Sequence, residues 1–214
     1  NDYQFGTVWE HTMVVLEGTK DDNMILRISA LLHDIGKIRV CTEEDGKIHF
    51  LKHELKSGEM IDELLRPLKF SNEIIKEVTF LVRNHMICKT WGSECEYMKD
   101  KKLRRFQYEC KTEERFRNLM TIIDADNNAY AADKCMPKQV EFILSRTEAM
   151  KAEGSAMFGY KLPLTGKEIM DLKGIKPGPG VRECLDYLLK IAFANPLREK
   201  EEFVKHLLGY RLQK

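Results

Sequence analysis

Apolar residues recur along most of this chain at the three-to-four-residue spacing of amphipathic helices, and the pattern breaks in few places. "TVWEHTMVVLEG" opens with Thr7 and Glu10 at capping-box spacing and closes at Gly18. With Val8, Met13, Val14 and Leu16 at mostly helical intervals, it predicts a first helix. "DDNMILRISALLHDIG" predicts a second, capped by Asp21 or Asp22 and stopped by Gly36. The period then changes. In "KIRVCTEEDGKIHF", Ile38 and Val40 alternate with polar residues, Asp45-Gly46 supplies a turn, and Ile48 and Phe50 alternate again, which predicts a short hairpin. Helices resume over about 52–66, broken by Pro67, and over about 71–84 from Ser71.

Residues 86–98 read as loop, and "KDKKLRRFQYECK" as a basic, partly helical segment. A long helix follows over about 112–133, and another runs from Pro137 to Gly154. "GSAMFGYKLPLTG" is a linker or ordered loop. Thr165 and Glu168 form a second capping box before a short helix, "GIKPGPG" turns, and two more helices close the chain. There are no repeats and no low-complexity tracts. The fold class is therefore all-α: a helical domain over 1–135 with a short β-hairpin insertion, then a smaller helical tail over 136–214.

Composition narrows the class without naming a chemistry. The chain has 214 residues, 43% hydrophobic and 32% charged, enough for one large domain or two small ones. A net charge of +1 provides no global field for nucleic acid, so an RNA role needs a local patch. No apolar run reaches membrane-spanning length, and "NDYQFGTVWEHT" is not a signal peptide. Six cysteines scattered without a CxxC read as reduced thiols of a cytoplasmic protein.

The candidate chemistry lies in His and Asp. His11 falls inside the first helix, His33-Asp34 ends the second, and Asp124 and Asp126 lie in the apolar helix "FRNLMTIIDADNNAYAA". Adjacent positions on a helix point roughly 100° apart, so His33 and Asp34 can share one ion only where the helix is released, at Gly36. A His from another helix and an Asp from a third would complete a nitrogen and oxygen site suited to a catalytic divalent metal. His53 and His85, each at a helix edge, extend this to a second metal or to phosphate contacts. Taken alone, each His has a blander reading as a packed or surface residue. That reading is kept for His49 in the hairpin and His206 in the last helix.

His11, "HDIGK" at 33–37 and a late Asp resemble the HD superfamily of metal-dependent phosphohydrolases. "VWEHTMVVLE", "KHELKSGEMIDELLRPLKFSNEIIKEVTFLVRNHM" and "GIKPGPGVRECLDYLL" extend the likeness to the C-terminal half of the bacterial tRNA CCA-adding enzyme and poly(A) polymerase family, over most of the chain. The resemblance implies an HD-domain helical bundle. It implies metal ligation by His11, His33, Asp34 and Asp126, with Asp126 preferred over Asp124 because Ala125-Asp126 matches the family's late motif. His53 and His85 match its additional histidines. Charge and position make Lys37 and Arg83 phosphate-facing cations, so Asp34, Lys37 and Arg83 form the expected catalytic set. The implied cofactor is a divalent ion (Ni, Mn, Co, Mg, Fe or Zn). The substrate would be a phosphomonoester or cyclic phosphodiester of a nucleotide or RNA end.

The family's nucleotidyltransferase head, with its Gly-Ser stretch and paired Asp residues, has no counterpart here. The chain is therefore expected to be a stand-alone HD protein or part of a longer protein whose head is separate or removed, and not to add nucleotides by itself. The alternative to an enzyme is a non-catalytic tRNA-binding module. Residues 99–117 hold eight Lys or Arg against four acids, with Phe106, Tyr108 and Phe116 interleaved. Lys101, Lys102, Arg104 and Arg105, with Lys176 in "KGIKPGPG", are the candidate RNA contacts. The same run also reads as a solvated helix face, and the glycine-rich stretch as an ordinary connection.

Overall fold

The computed structural model describes residues 6–19, 23–130 and 135–212. In chain order the elements are α1 (Val8–Gly18), α2 (Met24–Leu32), α3 (Lys37–Val40), β1 (Thr42–Glu44), β2 (Lys47–His49), α4 (His53–Leu65) and α5 (Asn72–Asn84). A short 3-10 helix at Ile87–Trp91 leads to α6 (Asp100–Cys110), α7 (Glu113–Asn128), α8 (Pro137–Ala152), α9 (Gly166–Lys173), α10 (Pro179–Ala194) and α11 (Lys200–Gly209). Among the described residues the fold is a helical bundle with one small antiparallel hairpin, as expected. Among the described residues, no helix is long and apolar enough to cross a membrane.

Local chemistry accounts for several of the helix starts. Both capping boxes form: Thr7 Oγ1 accepts from the Glu10 amide at 3.2 Å while the Glu10 carboxylate accepts from the Thr7 amide at 2.6 Å. Thr165 and Glu168 repeat the exchange at 3.3 and 2.8 Å. Ser71 Oγ accepts from the Ile74 amide at the start of α5. In the hairpin, Asp45 and Gly46 both have positive φ (52° and 72°), as a two-residue turn requires. Its register pairs Thr42 with His49 and Glu44 with Lys47.

Four expectations need correction. The cap of α2 is Asn23, whose side chain accepts from the Ile25 and Leu26 amides at 3.0 and 3.4 Å; Asp21 and Asp22 lie outside the described residues. The regular part of α2 ends at Leu32, before Gly36, and His33–Gly36 form a turn. Ile38 and Val40 lie in the helical turn α3, not in a strand. That turn is tied by Lys37 N–H to Asp34 O at 2.9 Å and Arg39 N–H to Gly36 O at 2.9 Å, which overrides the β preference of Ile and Val. The stretch 86–98 is not all loop, since Ile87–Trp91 is the 3-10 helix. Helix α7 is described to Asn128; residues 131–133 of its expected span lie outside the described residues.

The chain divides into two compact units, residues 1–97 with 114–143, and 98–113 with 144–214. These limits differ from a single cut after residue 135, because α6 goes with the C-terminal helices and the start of α8 with the N-terminal ones. The first unit packs Ile61, Leu65, Ile75, Val78 and Val82 of α4 and α5 against Ile25, Ile28 and Leu32 of α2. A smaller cluster joins Val15, Ala30, Ala125 and Ala129. The second unit is built around Ile169, Leu188, Phe193, Phe203 and Leu207.

Candidate metal centre

Five elements of the first unit converge on Asp34. His11 lies on the buried face of α1, with Thr12 and Val15. His33 is the C-terminal cap of α2, and Asp34 follows it in the turn. His53 is the first residue of α4, His85 caps the C-terminus of α5, and Asp126 lies near the end of α7. All six side chains are buried. Gly36 allows this convergence: its amide donates to Ser57 Oγ at 2.8 Å, which draws α4 and His53 against the turn.

The four histidines are held by one device. The Nδ1 of His33, His53 and His85 lies 2.7, 2.9 and 2.7 Å from the carbonyl oxygen three residues back (Ala30, Phe50, Val82). His11 Nδ1 reaches Ala129 O at 3.3 Å. A carbonyl oxygen only accepts, so Nδ1 carries the proton and, in the neutral ring, Nε2 presents a lone pair. Those Nε2 atoms face one another: His11 to His33 at 3.4 Å, His53 to His85 at 3.3 Å.

Asp34 lies between the two pairs. Its Oδ2 is 3.3 Å from His33 Nε2, 3.7 Å from His11 Nε2 and 2.6 Å from Lys37 Nζ. Its Oδ1 is 3.1 Å from His53 Nε2 and 3.9 Å from His85 Nε2. Asp126 Oδ1 adds a second carboxylate to the first pair, 3.1 Å from His11 and 3.9 Å from His33. Two groups thus bring their ligand atoms within 4.8 Å: His11, His33 and Asp34, and Asp34, His53 and His85.

Titration reflects the same crowding. Burial alone would raise the Asp34 carboxyl, but His33, His53 and Lys37 outweigh it and hold the group well below its usual range. Burial likewise opposes the drop at Asp126, where His11 and Lys89 prevail. His85 is pushed down to about 4, by burial first and by His33 second, so it is neutral at neutral pH. At His33 burial is the largest influence and acts downward, but Asp34, Asp126 and the Ala30 carbonyl together move the ring upward.

The donor set fits a divalent cation. Facing Nε2 lone pairs at these distances cannot bond to one another, and buried ionised carboxylates are costly without positive charge. Neutral imidazoles and carboxylates are the ligands that suit Zn, Mn, Fe, Co or Ni.

The family model for the HD domain matches residues 7–128, which hold every residue of this cluster. The chain belongs to the HD domain family. The His33-Asp34 pair stands at the middle of the HD cluster, with one Asp34 oxygen toward each histidine pair. Over 209 residues the chain is 29% identical to a CC-adding tRNA nucleotidyltransferase of Thermus thermophilus, an alignment covering 95% of this chain and 45% of that protein. Over 168 residues it is 27% identical to an A-adding tRNA nucleotidyltransferase of Deinococcus radiodurans, covering 77% and 37%. The chain thus spans less than half the length of these curated relatives.

Other expected site residues lie apart from the HD cluster. Arg83 is exposed on α5, its stem against Gly58 of α4. Asp124 is half-buried on α7 and is not in either ligand group. His49 and His206 lie in β2 and α11. In the second unit Lys101, Lys102 and Arg105 are exposed, Arg105 paired with Glu109 at 2.7 Å; Lys176 is exposed on the turn before α10. Arg104 is different. It is buried, and its guanidinium donates to the Phe193 and Ala194 carbonyls at the end of α10, at 3.4 and 3.1 Å, so it is not presented to an external phosphate.

One residue beside the HD cluster has no signal in the sequence. Lys89, in the 3-10 helix, lies 3.0 Å from Asp126 Oδ2 and 2.8 Å from Asn127 Oδ1. Nothing in "MICKTWG" marks it, because an isolated Lys in an expected loop carries no pattern.

Proposed function

We propose that the HD domain is a metal-dependent phosphohydrolase, acting on a phosphomonoester or cyclic phosphodiester of a nucleotide or RNA end. The observation that carries this reading is Asp34, with a pair of histidine Nε2 atoms facing each of its two oxygens. His11, His33, Asp34 and Asp126 would hold one divalent ion; Asp34, His53 and His85 would hold a second ion or a phosphate. When bound, such an ion supplies Lewis acidity toward a phosphoryl oxygen and lowers the pKa of water. The chain's own part is to present nitrogen and oxygen donors, through Nδ1 bonds that turn the Nε2 of each ring toward the site and cations that keep both carboxylates ionised. Lys37, buried beside Asp34, is positioned to stabilise charge on a phosphate, and exposed Arg83 to guide one in. We place this domain over the first unit, residues 1–97 with 114–143, in a cytoplasmic protein.

A second reading is a tRNA-binding module without turnover. It is favoured by the names of the relatives and by the exposed Lys101, Lys102, Arg105 and Lys176 of the tail unit. On either reading the 214 residues add no nucleotides by themselves, and a nucleotidyltransferase domain would be a partner or a further part of the chain. Metal analysis of the purified protein, with a phosphatase and 2′,3′-cyclic phosphodiesterase screen over Ni²⁺, Mn²⁺, Co²⁺ and Mg²⁺, separates the two. Bound metal with turnover supports the hydrolase. Tight tRNA binding with no turnover under any of the four ions supports the module.

A further inference from the structure

Lys89 does not belong to the HD pattern, yet its ammonium is built into the edge of the cluster. It is held from the far side by a chain of buried amides. Gln139 donates to the Cys88 carbonyl at 3.0 Å and to the Gly92 carbonyl at 2.7 Å, fixing both ends of the segment that carries Lys89. Asn127 donates to Gln139 Oε1 at 3.0 Å, and its own Oδ1 accepts from Lys89 Nζ at 2.8 Å. Gln139 and Asn127 are fully buried. The Tyr130 ring covers the ammonium, its centroid 4.4 Å from Nζ. The far oxygen of Asp126, Oδ2, accepts no aligned hydrogen bond among the described residues; the Lys89 charge stands 3.0 Å from it, and the Tyr130 hydroxyl is a further group directed at this carboxylate.

We propose that Lys89 is a positioning residue that acts through Asp126. It occupies Oδ2 and leaves Oδ1 alone turned toward His11 and His33, so Asp126 offers the site one oxygen instead of two. This rests on the metal-site reading above. A carboxylate free to chelate through both oxygens fills a coordination position that a phosphoryl oxygen or water needs. Lys89 keeps that position open, and the Gln139–Asn127 chain keeps Lys89 in place.

Removing Lys89 has opposite effects on metal affinity: it lifts the repulsion between two cations and it loosens a ligand. Affinity alone is therefore a poor gauge, and the ligand field is the better one. The unmodified chain, the Lys89→Met variant and the Lys89→Arg variant are each saturated with Co²⁺, and the visible absorption bands are recorded. Those bands weaken as coordination number rises. Lys89→Met is expected to lose band intensity as Asp126 becomes chelating, and Lys89→Arg to keep the parent spectrum. Asn127→Leu retains the ammonium but frees it from one partner. It is expected to shift the spectrum the same way by a smaller step, and it decides the matter if Lys89→Met does not fold. Parent spectra in both Lys89→Met and Asn127→Leu would overturn the role of Lys89 while leaving the metal site intact. No cobalt uptake by the unmodified chain would overturn the metal-site reading and the role of Lys89 together.

Discussion

The backbone of Gly36 lies so close to His53 that a Cβ on residue 36 would stand 2.5 Å from the His53 carbonyl oxygen. It would also stand 2.4 Å from the Ser57 amide nitrogen, so the clash is with backbone that cannot swing away. The gap between the turn and α4 is therefore set by the missing side chain. Gly36→Ala is expected to push α4 outward, separate His53 from Asp34 Oδ1 and cost about 1–3 kcal/mol in denaturant unfolding. A variant as stable as the parent, with the same metal stoichiometry, would count against this packing argument.

Asp34 is shared by both ligand groups, so Asp34→Ala removes a donor from each. Divalent-metal binding by calorimetry is expected to vanish while far-UV circular dichroism keeps its helical signal. Stability should fall by about 3 kcal/mol, because Lys37 is left buried without its partner. Unchanged binding heat would remove Asp34 from the site.

For RNA, the triple variant Lys101→Glu, Lys102→Glu and Arg105→Glu is expected to weaken tRNA binding. It should also flatten the dependence of log affinity on log salt by about one for each phosphate no longer neutralised. Hydrolysis of a small chromogenic phosphate should stay at the parent level. Loss of small-substrate turnover with tRNA binding kept would assign the segment to the active site. No change in either would return it to a solvated face. Arg104 is left out of this set, since Arg104→Glu would place a carboxylate among the α10 carbonyls and unfold the tail unit instead.

Glu168 supplies a pH prediction away from the cluster. Lys200 and the Thr165 cap hold its carboxyl down to about 2, from 4.5 in an unconstrained chain. A depressed carboxyl contributes stability that is fully present above about 4.5 and lost as pH falls from there toward 2. Melting temperatures of the parent and Glu168→Gln should therefore differ most above pH 4.5 and converge near pH 2. Parallel curves across that range would show that the carboxylate does not couple to folding.

Much of the local architecture is legible in sequence because it depends on neighbours three or four residues apart. The boxes at Thr7–Glu10 and Thr165–Glu168, the Ser71 cap and the Asp45-Gly46 turn are of this kind, and the helical bundle follows from apolar periodicity. The α2 cap differs from expectation by one or two residues because Asp21, Asp22 and Asn23 are equally good caps and only the chain path selects one. The strand expected through Ile38 and Val40 fails for a similar reason: a two-residue alternation is weaker than the ties of Lys37 and Arg39 to the turn behind them.

At the cluster, the sequence by itself determined which residue types were present and that His33 and Asp34 must lie where a helix is released. Periodicity and spacing could not determine partners, because the side chains that meet there lie up to 115 residues apart, and only the family resemblance grouped them. Only the tertiary structure decided that one Asp34 oxygen faces His11 and His33 and the other faces His53 and His85. It also decided that Lys89 stands against Asp126, and that Arg104, alike in sequence to Arg105, points inward to the end of α10. The physical reason is common to all three. A charged side chain declares its chemistry in one letter, but whether that charge is solvated, paired or turned on a ligand depends on which distant backbone packs beside it.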